Sequence, residues 1–279
     1  MSQQPAQSAD ADAFSDIDVN RPSAARVYDY FLGGAHNFAV DRELAAQIQA
    51  MSPNIGDTMR ANRRFLRRAV EHLAGEAGMR QFLDLGSGIP TVGNVHEVAQ
   101  AIAPDSRVVY VDIDPVAVAH SQVILRDNEL AAVLRADLRE VDRILKEAAA
   151  TGLIDFAEPV AVLAAGILHF IPDSDEPVDT MRRFGDALVP GSHLLVSHGT
   201  MDGQPEEVRR AVSMSTRTST EAFARTHAEI VAMFAGFTLL EPGLVLLPDW
   251  RPEPGGEPDV RSHIGAYGGL ARKDERRKD

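Results

Sequence analysis

The chain has 279 residues, 44% hydrophobic and 25% charged, with no cysteine; this is the balance of a globular protein with a substantial core, and it excludes disulfides, cysteine-ligated zinc, iron–sulfur clusters and thiol catalysis. Lys and Arg number 28 and Asp and Glu 41, a net charge of −13 whose field repels polyanions, so nucleic acid is not an expected partner. No apolar run approaches the roughly 18 residues of a membrane helix, and the first twenty residues carry no Lys, Arg or apolar run; no membrane contact and a cytoplasmic location are expected.

Residues 1–16 are small and polar and read as a disordered tail. Residues 17–75 read as an N-terminal helical extension or lid packed over the strand ends, with helices at Ser23–Phe31, Arg42–Met51 and Met59–Leu73 and a break at Gly33-Gly34. Residues 76–272 alternate strands with helices and read as one domain. Gln81–Leu85 is an apolar strand stopped by Gly86-Ser87-Gly88, and Val92–Ala103 has helical spacing. Arg107–Ile113 is a β-branched strand, Pro115–Arg126 a helix with proline in its first turn, Val133–Ala136 a short strand and Val141–Ala150 a helix. Pro159–Phe170 contains the long apolar run of a strand covered on both faces; Pro177–Leu188 is helical and His193–His198 is another apolar strand. A helix at Glu221–Phe234 precedes Phe237–Leu240, a Glu241-Pro242-Gly243 break, Leu244–Leu247 and Ile264–Ala271, pieces able to close one sheet edge. Residues 273–279 are a charged tail. Strands alternating with helices at this spacing predict an α/β fold, a mostly parallel sheet with helices on both faces.

The candidate ligand site starts where the first strand meets its glycine turn. In open α/β sheets ligands sit at the carboxyl ends of strands, and bare glycines let the backbone approach them. Asp112 ends the second strand, where a carboxylate can accept both hydroxyls of a ribose, and Asp137 ends the third, where it can accept an adenine amino group. A dinucleotide site wants G-x-G-x-x-G, but Thr91 holds the third position and Asp84 precedes the turn. A carboxylate there disfavours pyrophosphate and favours a cationic ligand with an amino group. That points to S-adenosylmethionine over a nicotinamide dinucleotide. The competing role for each acid is a helix cap or a loop anchor.

The pattern resembles class I S-adenosylmethionine-dependent methyltransferases. The run from Arg21 to Gly34, with Asn37-Phe38 and Asp41-Arg42, more narrowly resembles the actinobacterial S-adenosyl methyltransferase family catalogued as DUF574. So do Asp84–Thr91, Gly93–Glu97, Val111–Pro115, Leu168–Asp173 and Tyr267–Arg272. The resemblance covers about residues 20–272. It implies a Rossmann-like, mostly parallel seven-stranded sheet with an antiparallel edge strand near Ile264–Ala271. It further implies that Gly86 and Gly88 line the methionine part of the cofactor, Asp112 the ribose and Asp137 the adenine. Pro90 stands where the general methyltransferase pattern often has a third glycine, though it matches the narrower family. The full candidate cofactor set is Asp84, Gly86, Ser87, Gly88, Asp112, Ile113, Asp137, Leu138, Ala165 and Gly166, with Arg63, Tyr30 and Gly34 from the extension; no metal site is expected.

Methyl transfer from a sulfonium is an in-line displacement for which the protein mostly supplies alignment, and a base is needed only if the acceptor holds a proton. His169, after the fourth strand, is the candidate base, with His198 second. Arg60 or Arg63, among five arginines on Met59–Leu73, are candidates to pair the cofactor carboxylate, the others reading as a solvated face. Tyr28 and Tyr30 either line the pocket or pack the first helix, and Trp250 either covers an acceptor pocket or packs an edge. The end of the fourth strand, Ala165-Gly166-Ile167-Leu168-His169, lacks the Asn/Asp-Pro-Pro-aromatic run with which many amino-methylating enzymes recruit nucleobase or glutamine nitrogens. A small-molecule acceptor is therefore expected. His96-Glu97-Val98-Ala99-Gln100 is not a zinc-protease motif, since Gln100 replaces the second histidine. The alternative reading is a non-catalytic protein that holds the nucleoside as a sensor or partner subunit; an NAD-dependent oxidoreductase is the third.

Overall fold

The computed structural model describes residues 18–90, 93–200, 202–203, 222–252 and 265–275. The expected tail at 1–16, the turn position Thr91, the helix start Val92, Glu221, most of the Pro248–Pro258 loop, Ile264 and the last four residues of the charged tail lie outside them. Three N-terminal helices, α1 (Ala24–Phe31), α2 (Ala39–Met51) and α3 (Ile55–Gly75), precede the sheet. Strands β1 (Gln81–Leu85), β2 (Arg107–Asp112), β3 (Ala131–Arg135), β4 (Ala161–Ala165) and β5 (His193–Gly199) alternate with helices α4 (Val95–Ile102), α5 (Pro115–Ile124), α6 (Val141–Ala150) and α7 (Pro177–Asp186). Helix α8 (His227–Ala232) and strands β6 (Thr238–Leu239), β7 (Val245–Leu246) and β8 (Ala266–Arg272) follow.

The sheet runs β3-β2-β1-β4-β5-β8-β6, with β7 also paired to β8. Strands β1 to β5 are parallel, and β8 is antiparallel to β5 from His193↔Arg272 to Gly199↔Ala266. Two expectations are corrected. The sheet has eight strands, not seven, because the Glu241-Pro242-Gly243 break divides its outer margin into β6 and β7; Gly243 N–H closes the turn on Leu240 O at 2.7 Å. The C-terminal strand is not the edge: it lies inside, between β5 and the β6/β7 pair.

Alternation along the strands sends successive side chains to opposite faces. Leu83, Leu85, Val109, Val111, Val162 and Val196 pack under α6, α7 and α8, while Phe82, Val108, Leu163 and Leu195 pack under α3 and α4. Trp250 belongs to the second face, fully buried and edge-on to Phe65 at 5.3 Å, its carbonyl held by Arg68 Nε at 3.0 Å; it is a packing residue. The fourth strand is shorter than its apolar run suggests. It stops at Ala165 because Gly166 N–H turns to Ser197 O (3.1 Å) and Leu168–Phe170 coil into a short 3-10 turn. The expected helix from Glu221 is reduced to α8, since Phe223 and Arg225 donate their N–H groups to His169 O (2.7 Å) and Gly199 O (3.3 Å) instead. Among the described residues no helix is long and apolar enough to cross a membrane.

The N-terminal helices are tied to the carboxyl edge of the sheet. Buried Asp41 pairs Arg26 Nε at 2.9 Å and accepts the N–H groups of Ser23 and Phe38. Ala25 and Phe38 then pack on Ile89, Val116 and Ala117, and Ser23 Oγ donates to Asp114 at the start of α5.

Candidate cofactor and acceptor site

Asp84 is the fourth residue of β1, so it points to the α3/α4 face, beside its register partner Tyr110. It is 5% exposed, and burial pushes its carboxyl up to about 7, with Arg63 pulling it down and Asp112 pushing it further up. Arg63 reaches from α3 to Asn94 Oδ1 (3.3 Å), and Tyr110 Oη accepts His96 N–H at 2.8 Å. Arg63, Asp84, Asn94 and Tyr110 line a narrow polar recess with Ser87 and Gly88. Ser87 Oγ is buried there and has no hydrogen-bond partner among the described residues.

The turn above the recess needs its glycines. Gly86 and Gly88 have φ of +67° and +68°, and Gly86 N–H bonds Val111 O at 2.8 Å. A Cβ on Gly86 would lie 2.3 Å from Ile167 Cγ1, whereas one on Gly88 would meet open space. Gly86→Ala is therefore expected to cost about 3 kcal/mol, left-handed strain plus overpacking, against about 1 kcal/mol for Gly88→Ala; urea unfolding of the two variants measures the difference.

Asp112 does not project freely beyond its strand. It is 6% exposed, Oδ2 accepting Gly88 N–H at 2.7 Å and Oδ1 accepting Asp114 N–H at 2.8 Å, so the second strand's acid clamps the first strand's turn. Burial lifts its carboxyl to about 6 against those donors. Asp114 is the N-cap of α5, accepting Val116 N–H at 2.7 Å. At the next strand end Asp137 is held by the Arg139 guanidinium (2.6 and 2.9 Å), which lowers its pKa. Of the neighbouring candidates, Ile113 is 60% exposed and Leu138 turns its side chain into the core.

At the end of β4, Ala165 and Gly166 face α3. Asn62 Nδ2 lies 3.0 Å from where a Gly166 Cβ would stand, and His169 Cε1 lies 3.9 Å from the same point. Asn62 donates to Tyr28 Oη (3.1 Å) and accepts from Ser197 Oγ (2.5 Å), and Tyr28 Oη donates to Met59 O at 3.1 Å. Burial, then His198 and Arg225, drives His169 down to about 3, and its Nδ1 is buried without a partner among the described residues. His198 is likewise neutral, lowered by burial to about 4; its Nδ1 sits 2.7 Å from Gly199 O, which leaves Nε2 to accept Arg225 Nη1 at 2.9 Å. Arg225, 6% exposed, also bonds Leu168 O, Ile171 O and Asp173, fixing the turn that carries His169.

The structure thus brings Arg63, Asp84, Ser87, Gly88 and Asp112 together, and groups Gly166 with His169. It sets Tyr30 in a different recess and Gly34 against the carboxylate of Asp29. Asn62, Ser197 and Arg225 were missed. Asn62 and Ser197 follow no motif, and Arg225 sits in a stretch expected to be helical.

The sheet order and the acid-flanked glycine turn at its carboxyl edge define a class I methyltransferase, dependent on S-adenosylmethionine. The chain belongs to the S-adenosyl methyltransferase family, whose model matches residues 10–274. It is similar to a solved DUF574 family protein of Streptomyces avermitilis MA-4680, at 39% identity and a TM-score of 0.87 over 92% of this chain and 99% of that one. A Thermobifida fusca YX protein assigned provisionally as a methyltransferase is similar at 39% identity and 0.86, covering 92% and 97%. Among curated proteins nothing matches.

Proposed function

We propose that the chain transfers a methyl group from S-adenosylmethionine to a small-molecule acceptor held at the β4 end. The observation that carries this is the recess in which the desolvated Asp84 meets a bare turn and a Ser87 Oγ without a partner among the described residues, with buried Asp112 clamping that turn from behind. These groups suit the ligand: Asp84 for its ammonium, Arg63 for its carboxylate, Gly86 and Gly88 for close backbone approach, and Asp112 for its ribose diol. Asp137 takes the adenine amino group in competition with Arg139, and Ile113 covers one face of the base. When bound, the cofactor supplies an electrophilic methyl whose carbon–sulfur electron pair returns to sulfur as the acceptor's lone pair takes the carbon.

The chain's own residues then align the acceptor. Positioning of this kind is worth roughly 7–11 kcal/mol of a barrier. Neutral His169 accepts a hydrogen bond from the acceptor's X–H and orients its lone pair, while Arg225 and His198 keep His169 in place. A net charge of −13 supports a small acceptor over nucleic acid. The test is release of S-adenosylhomocysteine from S-adenosylmethionine with a fractionated metabolite extract, run beside bulk DNA and RNA. Turnover on the extract alone is expected; turnover on nucleic acid alone overturns the acceptor class. Tight binding without turnover on any fraction replaces the enzyme reading with the sensor reading.

A further inference from the structure

Arg60 and Arg63 lie one turn apart on α3, yet they face two different recesses. Arg63 shares its recess with Asp84 and Ser87. Arg60 faces a larger hollow of about 320 Å³ between α1, α2 and α3. That volume is at the lower end of small-molecule sites, about 300 Å³ and upward, and suits a single substituted ring. Its walls are of two kinds. Tyr30 and Phe31, edge-to-face at 5.7 Å, and Pro53 present flat apolar surface; Gln49, Asp57 and Arg60 present polar groups.

The guanidinium is positioned but not used up. Among the described residues Arg60 gives one Nη2 hydrogen to Asp57 Oδ1 at 2.6 Å and reaches Phe31 O at 3.4 Å. Five N–H donors in a rigid fork leave an edge for a second oxyanion, and Asp57, one turn back, sets the direction of that edge. A flat apolar corner closed by a directed guanidinium recognises a ring bearing a carboxylate.

We propose that this hollow is a second ligand site, separate from the donor recess, and that it takes an aromatic carboxylate. The ring lies against Tyr30, Phe31 and Pro53, and the carboxylate sits on the Arg60 fork. Binding here is independent of the proposed methyl-transfer reading, which places the donor in the Arg63 recess.

Calorimetry on the full chain separates the two. S-adenosylhomocysteine is titrated first, then 4-hydroxybenzoate into protein with and without it, with 4-hydroxybenzyl alcohol and benzylamine as neutral and cationic counterparts. The expected result is binding of 4-hydroxybenzoate, weaker binding of the alcohol and none of the amine. Arg60→Met is expected to weaken 4-hydroxybenzoate at least tenfold while S-adenosylhomocysteine affinity holds, and Arg60→Lys, which keeps the charge and loses the fork, falls between. The Arg60 side chain is half exposed, so both variants fold, as thermal melts verify. If S-adenosylhomocysteine binds but 4-hydroxybenzoate does not, or binds equally to Arg60→Met, the hollow proposal is overturned and the donor site stands. If 4-hydroxybenzoate binds through Arg60 and S-adenosylhomocysteine does not bind, the methyl-transfer reading falls and the anion site stands.

Discussion

Asp112→Asn is expected to weaken S-adenosylhomocysteine binding by about 30- to 100-fold at pH 7.5. In the proposed binding mode the wild-type carboxylate presents a charged acceptor to two ribose hydroxyls. Bonds to a charged group are worth about 1.5–3 kcal/mol each and neutral ones about 0.5–1.5, so the exchange costs 2–3 kcal/mol in binding. Asparagine keeps the shape but has only one acceptor oxygen, and that oxygen cannot serve both Gly88 N–H and Asp114 N–H. The glycine turn therefore loosens along with the ribose contact. Asp112→Ala goes further: it leaves both amides without their partner and is expected to lower stability by about 1–3 kcal/mol as well as abolish binding. Calorimetry with the nucleoside reads the first effect and urea unfolding the second. Wild-type affinity in Asp112→Asn would remove the ribose assignment.

The second large effect is a pH dependence seated on Asp84. Its native carboxyl is raised to about 7 and that of Asp112 to about 6, against about 3.9 in an unfolded chain. A raised carboxylate pKa means that the native state holds its proton to higher pH than the unfolded state does. The contribution of these two carboxyls to stability is therefore greatest below about pH 4, falls as pH rises to about 7, and is flat beyond, with Asp84 alone accounting for up to about 4 kcal/mol of that fall. Ligand affinity runs the other way. An ammonium needs the ionised carboxylate, so S-adenosylhomocysteine is expected to bind more tightly from pH 5.5 to 7.5, approaching tenfold per unit at the acid end. Binding near pH 6.5 then releases a proton, which calorimetry in buffers of different ionisation enthalpy detects. Asp84→Asn flattens the affinity profile. An unchanged affinity between pH 5.5 and 8 in the wild type would place the ammonium elsewhere.

The parallel half of the fold was legible because its strands and helices each carry a local signal. Gln81–Leu85 and Val141–Ala150 coincide with β1 and α6 to the residue, and Pro115 with Asp114 marks the start of α5. The antiparallel margin was not, since β6 and β7 are two residues long and owe their existence to β8, a partner remote in sequence. In the site, the acids and glycines stood out as chemistry at strand ends, but what each one touches did not. Asp112 bonds a main-chain N–H on another strand's turn, and no side-chain pattern records such a contact. Tyr30 and Arg63 looked like one constellation because both belong to the N-terminal block; they stand on different helices, α1 and α3, and line different recesses.

The placement of β8 bears on how freely this protein can change. The chain leaves β5 at Thr200, lays β6 and β7 on the sheet margin and returns in β8, and the two ends of this excursion meet where Thr200 N–H bonds Gly265 O at 2.8 Å. Closure entropy grows only with the logarithm of length, so doubling what hangs from that junction costs about 0.6 kcal/mol. That tolerance does not extend to α8, β6, β7 and the fully buried Trp250, whose packing the sheet requires. The excursion also supplies Phe223 and Arg225, which hold the His169 turn. One junction accordingly ties the outer margin of the sheet and the His169 turn to the same stretch of chain.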